Sequence, residues 1–382
     1  MNKIYFDNAA TTEMSDKVIS VIMDTMKNNY GNPSSTHSFG RNSKSILELS
    51  RKFIAEKLNV KTSEIIFTSG GTESNNMIIK SVVEAQNIER IITTKIEHKA
   101  VLNSIESISK TKKISVEYLD VDNCGNPNIE QLRNSLEKSD QMTLVSLMHI
   151  NNEIGTIINL NEYGEICRSN NALFHSDTVQ TIGHYDLDLS ATTIDFITCS
   201  AHKFHGPKGV GFAYINNETI INPFIEGGSQ ERGYRGGTES IHNILGLKTA
   251  FEISYESLEK DSKKVSKIKE YFIHSILKNI PGTKINGNSD THNSSYTILN
   301  LCLPIAKEKK TVLDFKLDLA GIACSSGSAC QSGSSKPSHV LSEILSNSEM
   351  EKISLRFSFS KFNSLEEVDY VITFLKDFIN DN

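Results

Sequence analysis

Between Ile65 and Ile215 the chain alternates short β-rich runs with stretches of helical periodicity, and this alternation limits the fold more than any other feature. The strand candidates are residues 65–68, 90–93, 116–119, 143–147, 173–175, 196–198 and 210–214. Helical stretches at 74–85, 99–109 and 161–169 fall between most of them. Parallel neighbours need a long crossover, so this repeat predicts a mainly parallel seven-stranded sheet with helices on both faces. The turn between the last two strands is too short for a crossover helix, so one of them runs antiparallel.

Upstream, Ser15 is placed to cap a helix whose apolar face is Val18, Ile22 and Met26. Downstream, residues 255–280 read as one long helix, ended by Pro281 and Gly282, with Leu258, Val265, Ile268, Phe272 and Ile276 along one side. A shorter strand–helix pattern follows. The expected division is a large domain at 16–254 and a smaller α+β domain built from 1–15 and 255–382. A length of 382 residues has room for both.

The net charge of −6 argues against a nucleic-acid or polybasic membrane surface. The first residues lack the apolar run of a secretory signal, and no apolar run reaches the length of a bilayer span. A cytoplasmic address is expected. The six cysteines form no C-x-x-C pair and no zinc spacing, so neither a disulfide framework nor a metal is expected. Cys167, Cys199 and Cys302 read as small buried hydrophobes. Cys330 differs, because it lies in the serine- and glycine-rich stretch 325–335, where small side chains cannot anchor a core and a thiol can travel.

The stretch Ser200-Ala201-His202-Lys203, just past an apolar strand and followed by Gly206 and Gly209, places a lysine where its amine can be desolvated and aimed. A lysine that holds a carbonyl cofactor as a Schiff base needs that setting. Six other segments suit the same purpose. Gly70, Gly71 and Thr72 run from a strand into a helix and fit a single phosphate. Asp177 and Gln180 follow a strand end, where a carboxylate keeps a pyridine nitrogen protonated. His98 opens a helix, where an imidazole can stack on a flat ring and move protons. Asn151 and Asn152 form a polar turn on an otherwise apolar strand. Arg235 and Thr238, flanking two glycines, offer a second phosphate contact. Arg356 lies on an apolar strand, where an unpaired guanidinium is costly and a ligand carboxylate would satisfy it.

Taken in order, these segments resemble the cysteine desulfurases of the class V aminotransferase family, in its NifS/IscS-like branch. The resemblance runs from Tyr5–Thr12 through Gly31–Ser35 to Arg356, and the Ser-Ser-Gly-Ser-Ala-Cys loop at 325–330 narrows it to that branch. It implies the fold type I architecture of pyridoxal 5'-phosphate-dependent transferases, a homodimer with a shared cofactor site, and conversion of L-cysteine to L-alanine with sulfur held as a persulfide. By resemblance, Lys203 carries the Schiff base, Asp177 faces the ring nitrogen and Gln180 the ring hydroxyl. Gly71, Thr72, Ser200, Ala201 and His202 line the phosphate site, joined by Thr238 of the other subunit. His98 stacks and shuttles protons, Asn152 touches cofactor and substrate, Asn32 and Arg356 bind substrate, and Cys330 takes the sulfur. The resemblance further implies a sulfur-acceptor partner, an iron–sulfur scaffold or a tRNA-thiolation enzyme. A selenocysteine lyase, or another class V transaminase or lyase, is the alternative on the same fold. Ser360-Lys361, where a Gly-Arg pair is usual, and Cys324, where an apolar residue is usual, depart from the family pattern.

Overall fold

The computed structural model describes residues 3–288, 293–325 and 338–380. Its strands, in chain order, are β1 (Ile4–Tyr5), β2 (Ile65–Thr68), β3 (Arg90–Thr94), β4 (Ser115–Leu119), β5 (Thr143–Ser146), β6 (Leu173–Asp177), β7 (Phe196–Ser200), β8 (Gly211–Ile215), β9 (Lys284–Asn286), β10 (Ile298–Ala306), β11 (Ile322–Ala323) and β12 (Lys352–Ser358). β2 to β8 form one seven-stranded sheet in the order β2-β8-β7-β6-β5-β3-β4. Pairing is parallel from β7 to β4, while β8 runs antiparallel to both β2 and β7. The expected antiparallel strand is therefore β8.

Successive side chains of a strand point to opposite faces, and here both faces are dry. Ile65, Phe67, Ile92, Val145, Phe174, Ile197 and Phe212 join the core on one face. Ile66, Ile91, Leu144, Phe196 and Ala213 join the core on the other, with the helices Gly71–Ala85 and Lys99–Lys112. A separate apolar cluster holds the three-stranded sheet β12-β10-β9 and the helices Leu258–Asn279 and Leu365–Asn380. Phe6, Phe272, Phe357 and Phe359 meet at its centre, with Phe272 and Phe357 centroids 4.7 Å apart. Among the described residues no helix is long and apolar enough to cross a membrane.

Two sequence expectations need correction. The long helix expected at 255–280 starts three residues later, as Leu258–Asn279, and a separate helix, Ile241–Glu256, precedes it. Ser257 separates them: its hydroxyl reaches the Ile253 carbonyl at 2.8 Å and so competes with continued helical bonding. Tyr255 belongs to the first helix and stacks on Phe251 at 4.4 Å. The helix Asp16–Asn28 begins after Ser15, but the Ser15 side chain makes no cap bond, and Met26 is 59% exposed instead of packed. Only Val18 and Thr25 of that helix are buried.

Candidate active site

The loops that leave the carboxyl ends of the parallel strands converge on a cavity of about 520 Å³, the place where an open α/β sheet presents its ligand. Lys203 reaches it from one turn of 3-10 helix, Ala201–Lys203, directly after β7. The Ala201 and Gly206 amides tie the turn to Val210 and Ala201 carbonyls at 3.1 and 3.0 Å. His205 closes it with a positive φ of 67°, a conformation that costs a non-glycine residue free energy and persists only where neighbours hold it. Here the Thr12 hydroxyl accepts from the His205 amide at 2.7 Å and the Glu13 carbonyl accepts from its ring at 2.8 Å.

The Lys203 amine donates to the Ala9 carbonyl at 2.6 Å and the Ala10 carbonyl at 2.9 Å. These carbonyls belong to a segment stitched across the molecule. The Ala9 amide donates to Ser358 Oγ on β12 at 2.8 Å, and the Thr12 amide to the His202 carbonyl at 2.9 Å. His184 Nε2 donates to the Lys203 carbonyl at 2.9 Å and so fixes the turn from below. Residues 9 and 10 meet the Lys203 amine through backbone carbonyls, so side-chain chemistry in the sequence could not reveal them.

Asp177 ends β6 and is buried. It accepts from Asn75 Nδ2 at 2.8 Å, the Val179 amide at 3.0 Å and Thr198 Oγ1 at 3.3 Å. These neutral donors orient the carboxylate without cancelling its charge, so a ligand cation or N–H suits it. Asn75 was not singled out in the sequence, and its buried Oδ1 has no partner among the described residues. Gln180 donates from Nε2 to the Ala9 carbonyl at 3.0 Å, which sets its side chain beside the Lys203 amine's own acceptor.

At the other side of β7, Gly70 and Gly71 lead into a helix of 15 residues. Gly70 has a φ of +144°, and a Cβ on Gly71 would lie 2.6 Å from Val179 Cγ2. Only glycine allows this approach, and it leaves the helix's first amides, the positive end of its dipole, toward the cavity. Thr72, Ser200, His202 and Lys208 line the same region. The expected second phosphate contact, Arg235, is instead held by Glu73, with Nε donating at 2.8 Å.

Arg356 lines the cavity from β12 and is 2% exposed. The guanidinium that the sequence reading assigned to a ligand carboxylate also has partners within the chain. Nη2 donates to Asp7 Oδ1 at 2.8 Å and Ser325 Oγ at 3.0 Å, and Nη1 to the Asn152 carbonyl at 2.7 Å. Asp7 and Arg356 are 349 residues apart in sequence, so no local signal could have paired them. Arg356 Nε alone is left without a partner among the described residues.

His98 caps the helix Lys99–Lys112, its Nδ1 accepting from the Ala100 amide at 3.1 Å. Burial, the largest influence, lowers its pKa, so the ring is neutral near pH 7 with its proton on Nε2. Gly71, Thr72, His98, Asn152, Asp177, Gln180, Ser200, His202, Lys203 and Arg356 all line one cavity. Ala201 is fully buried beneath it, and the exposed Asn32 and Thr238 are not among its lining residues. Cys330 lies outside the described residues.

The residues present fit pyridoxal phosphate: an oriented carboxylate for the ring nitrogen, an amine for the aldehyde, and a glycine-lined helix start for the phosphate. Comparison with known proteins agrees. The family model described as class V aminotransferase matches residues 4–371. A cysteine desulfurase IscS of Clostridium botulinum is 41% identical over 99% of this chain and 95% of its own. A solved NifS-like protein superposes with a TM-score of 0.90 at 35% identity, covering the whole of both chains. A structure of SspA in complex with cysteine gives a TM-score of 0.79 at 29% identity, over 95% of this chain and all of that one.

Proposed function

The chain belongs to the class V aminotransferase family, in its cysteine desulfurase branch, and from that premise we propose that the cavity takes pyridoxal 5'-phosphate and L-cysteine, releases L-alanine and passes the sulfur to Cys330. The observation that carries this reading is one cavity holding an oriented carboxylate at Asp177, an amine at Lys203 and a guanidinium at Arg356. The complex of SspA with cysteine, a relative of the same fold, supports cysteine as the amino acid.

Lys203 would hold the cofactor's aldehyde, Asp177 its ring nitrogen, and Gly71, Thr72, Ser200 and His202 its phosphate. When bound, pyridoxal phosphate withdraws electrons from the amino acid's α-carbon. Asp177 would pair with the ring nitrogen and favour its protonated form. Arg356 orients the substrate carboxylate, which draws the guanidinium away from Asp7. Lys203 Nζ, exchanging its bonds to the Ala9 and Ala10 carbonyls, moves the α-proton. His98 Nε2 offers a proton from the cavity wall. The Cys330 thiolate attacks the substrate sulfur; an S–S bond forms, the C–S bond breaks, and its electron pair stays on carbon.

A homodimer places Thr238 at the partner's phosphate site. Met23, Met26, Tyr30 and Phe39, all more than half exposed, support an interface that includes them. The persulfide then serves an acceptor such as an iron–sulfur scaffold or a tRNA-thiolation enzyme.

The test is alanine release from L-cysteine by the cofactor-loaded protein. Cys330→Ala is expected to abolish it while the yellow absorbance of the bound cofactor persists. Wild-type alanine release in that variant would remove Cys330 from the reaction.

A further inference from the structure

Two residues that line the cavity have no part in the steps above, and each carries a buried acceptor atom. Glu153 is 1% exposed; its Oε2 accepts from Ser338 Oγ, and its Oε1 has no partner among the described residues. His339, the next residue after Ser338, bonds through Nε2 to the Glu97 carbonyl at 2.9 Å. A carbonyl only accepts, so the ring proton sits on Nε2 and Nδ1 carries a lone pair. That Nδ1 is also buried and without a partner among the described residues.

Two of the cavity's histidines, His98 and His339, therefore present opposite faces. His98 spends its lone pair on the Ala100 amide and keeps a proton on Nε2. His339 spends its proton on a carbonyl and keeps a lone pair. Leaving one buried acceptor unmatched costs free energy, and two such atoms on residues that line one cavity point to a ligand donor. Burial also lowers the proton affinity of His339, which keeps the lone pair available near neutral pH. The charged and titratable groups that face the ring are Glu153, Lys99, Glu343 and His98, with the Glu97 carbonyl on Nε2.

Resting on the desulfurase reading, we propose that Glu153 Oε1 and His339 Nδ1 form the acceptor site for the substrate's thiol, and that His339 takes its proton as the sulfur departs. The attacking thiolate supplies the pair of the new S–S bond, and the C–S pair remains on carbon, so sulfur is oxidised as carbon is reduced. A persulfide is a stronger acid than a thiol. Its S–H bond breaks with the pair left on sulfur, and the proton forms N–H at His339 Nδ1. No outside oxidant or reductant enters.

The test uses cofactor-loaded protein with two variants and three readouts. His339→Gln keeps an amide N–H for the Glu97 carbonyl and removes the basic nitrogen. It is expected to lower kcat for alanine release by about 100-fold, the scale of one acid–base group, and to erase the acidic limb of the pH–rate profile. L-Alanine, which has no thiol, is expected to perturb the cofactor absorbance of this variant with a Kd within about 2-fold of wild type, showing fold and cofactor site intact. Glu153→Gln is expected to move the acidic limb to lower pH, because it removes a negative charge that favours protonated His339. A kcat for His339→Gln within about 3-fold of wild type overturns the proposal while leaving the desulfurase reading in place. So does an equal loss of alanine and cysteine binding, or an acidic limb unmoved in both variants. Failure of the wild type to make alanine from L-cysteine sinks the desulfurase reading, and this proposal with it.

Discussion

The two walls of the cavity are built by different means. The wall at the sheet ends comes from consecutive motifs: Gly70 to Asn75 after β2, Asp177 to Gln180 after β6, and Ser200 to Lys203 after β7. Its carboxylate meets only neutral donors, from Asn75, the Val179 amide and Thr198. The wall around Arg356 gathers Asp7, Asn152 and Ser325 from distant parts of the chain, and there the guanidinium already has a carboxylate. A group that keeps its charge unmatched suits a resident ligand, whereas one with an internal stand-in suits a ligand that comes and goes.

Substitutions on each wall should therefore fail differently. Asp177→Asn removes the charge of the first wall, and alanine release is expected to fall about 10²–10³-fold with weakened cofactor retention, read by absorbance after gel filtration. Arg356→Lys replaces a planar fork by a point charge. It is expected to raise KM for L-cysteine about 10–100-fold and to leave cofactor retention unchanged. Equal loss of cofactor in both variants would erase the distinction between the walls.

Most of the first wall was legible in the sequence, because strand ends, glycines and a helix start are local signals. Lys203, Asp177, His98 and Gly71 could each be placed from a few neighbouring residues. The second wall was not legible in the same way. Arg356 could be singled out by its apolar strand, but its pairing with Asp7 depends on β1 lying near β12, a matter of topology. Glu153 and His339 stood in plain sight and carried no signal, since only the Glu97 carbonyl shows which nitrogen of His339 holds the proton. The break at Ser257 was missed because apolar periodicity runs on through it.

A smaller effect concerns acid stability. Burial holds His175 and His149 at a pKa of about 4, below the ordinary 6.5. Their stabilisation is full above pH 6.5 and is lost as pH falls toward 4, where the unfolded chain binds protons first, on the order of 3 kcal/mol for the fully buried His175. Glu97 opposes this, because burial raises its pKa to about 8 and its contribution grows as pH falls from 8 to 4.5. Two further histidines, His202 and His205, are also lowered to about 4, so the histidines outnumber it. Tm is expected to fall between pH 6.5 and 4.5; a constant Tm there would contradict the burial of these rings.

The smallest effect is expected at Cys324, beside the Arg356 wall. Burial, with Asp7 next in weight, pushes its thiol up to about 12, so it holds almost no thiolate at neutral pH. Cys324→Ala is expected to change alanine release by less than about 2-fold. A loss comparable to that of Arg356→Lys would make the thiol a participant.

The proposed grip of the Lys203 amine on the cofactor's aldehyde is the foundation for both walls. Borohydride reduction of the cofactor-loaded protein, followed by peptide mapping, should leave one pyridoxyl group, on Lys203. A pyridoxyl group on any other lysine, or none at all, would contradict the assignment of the cavity.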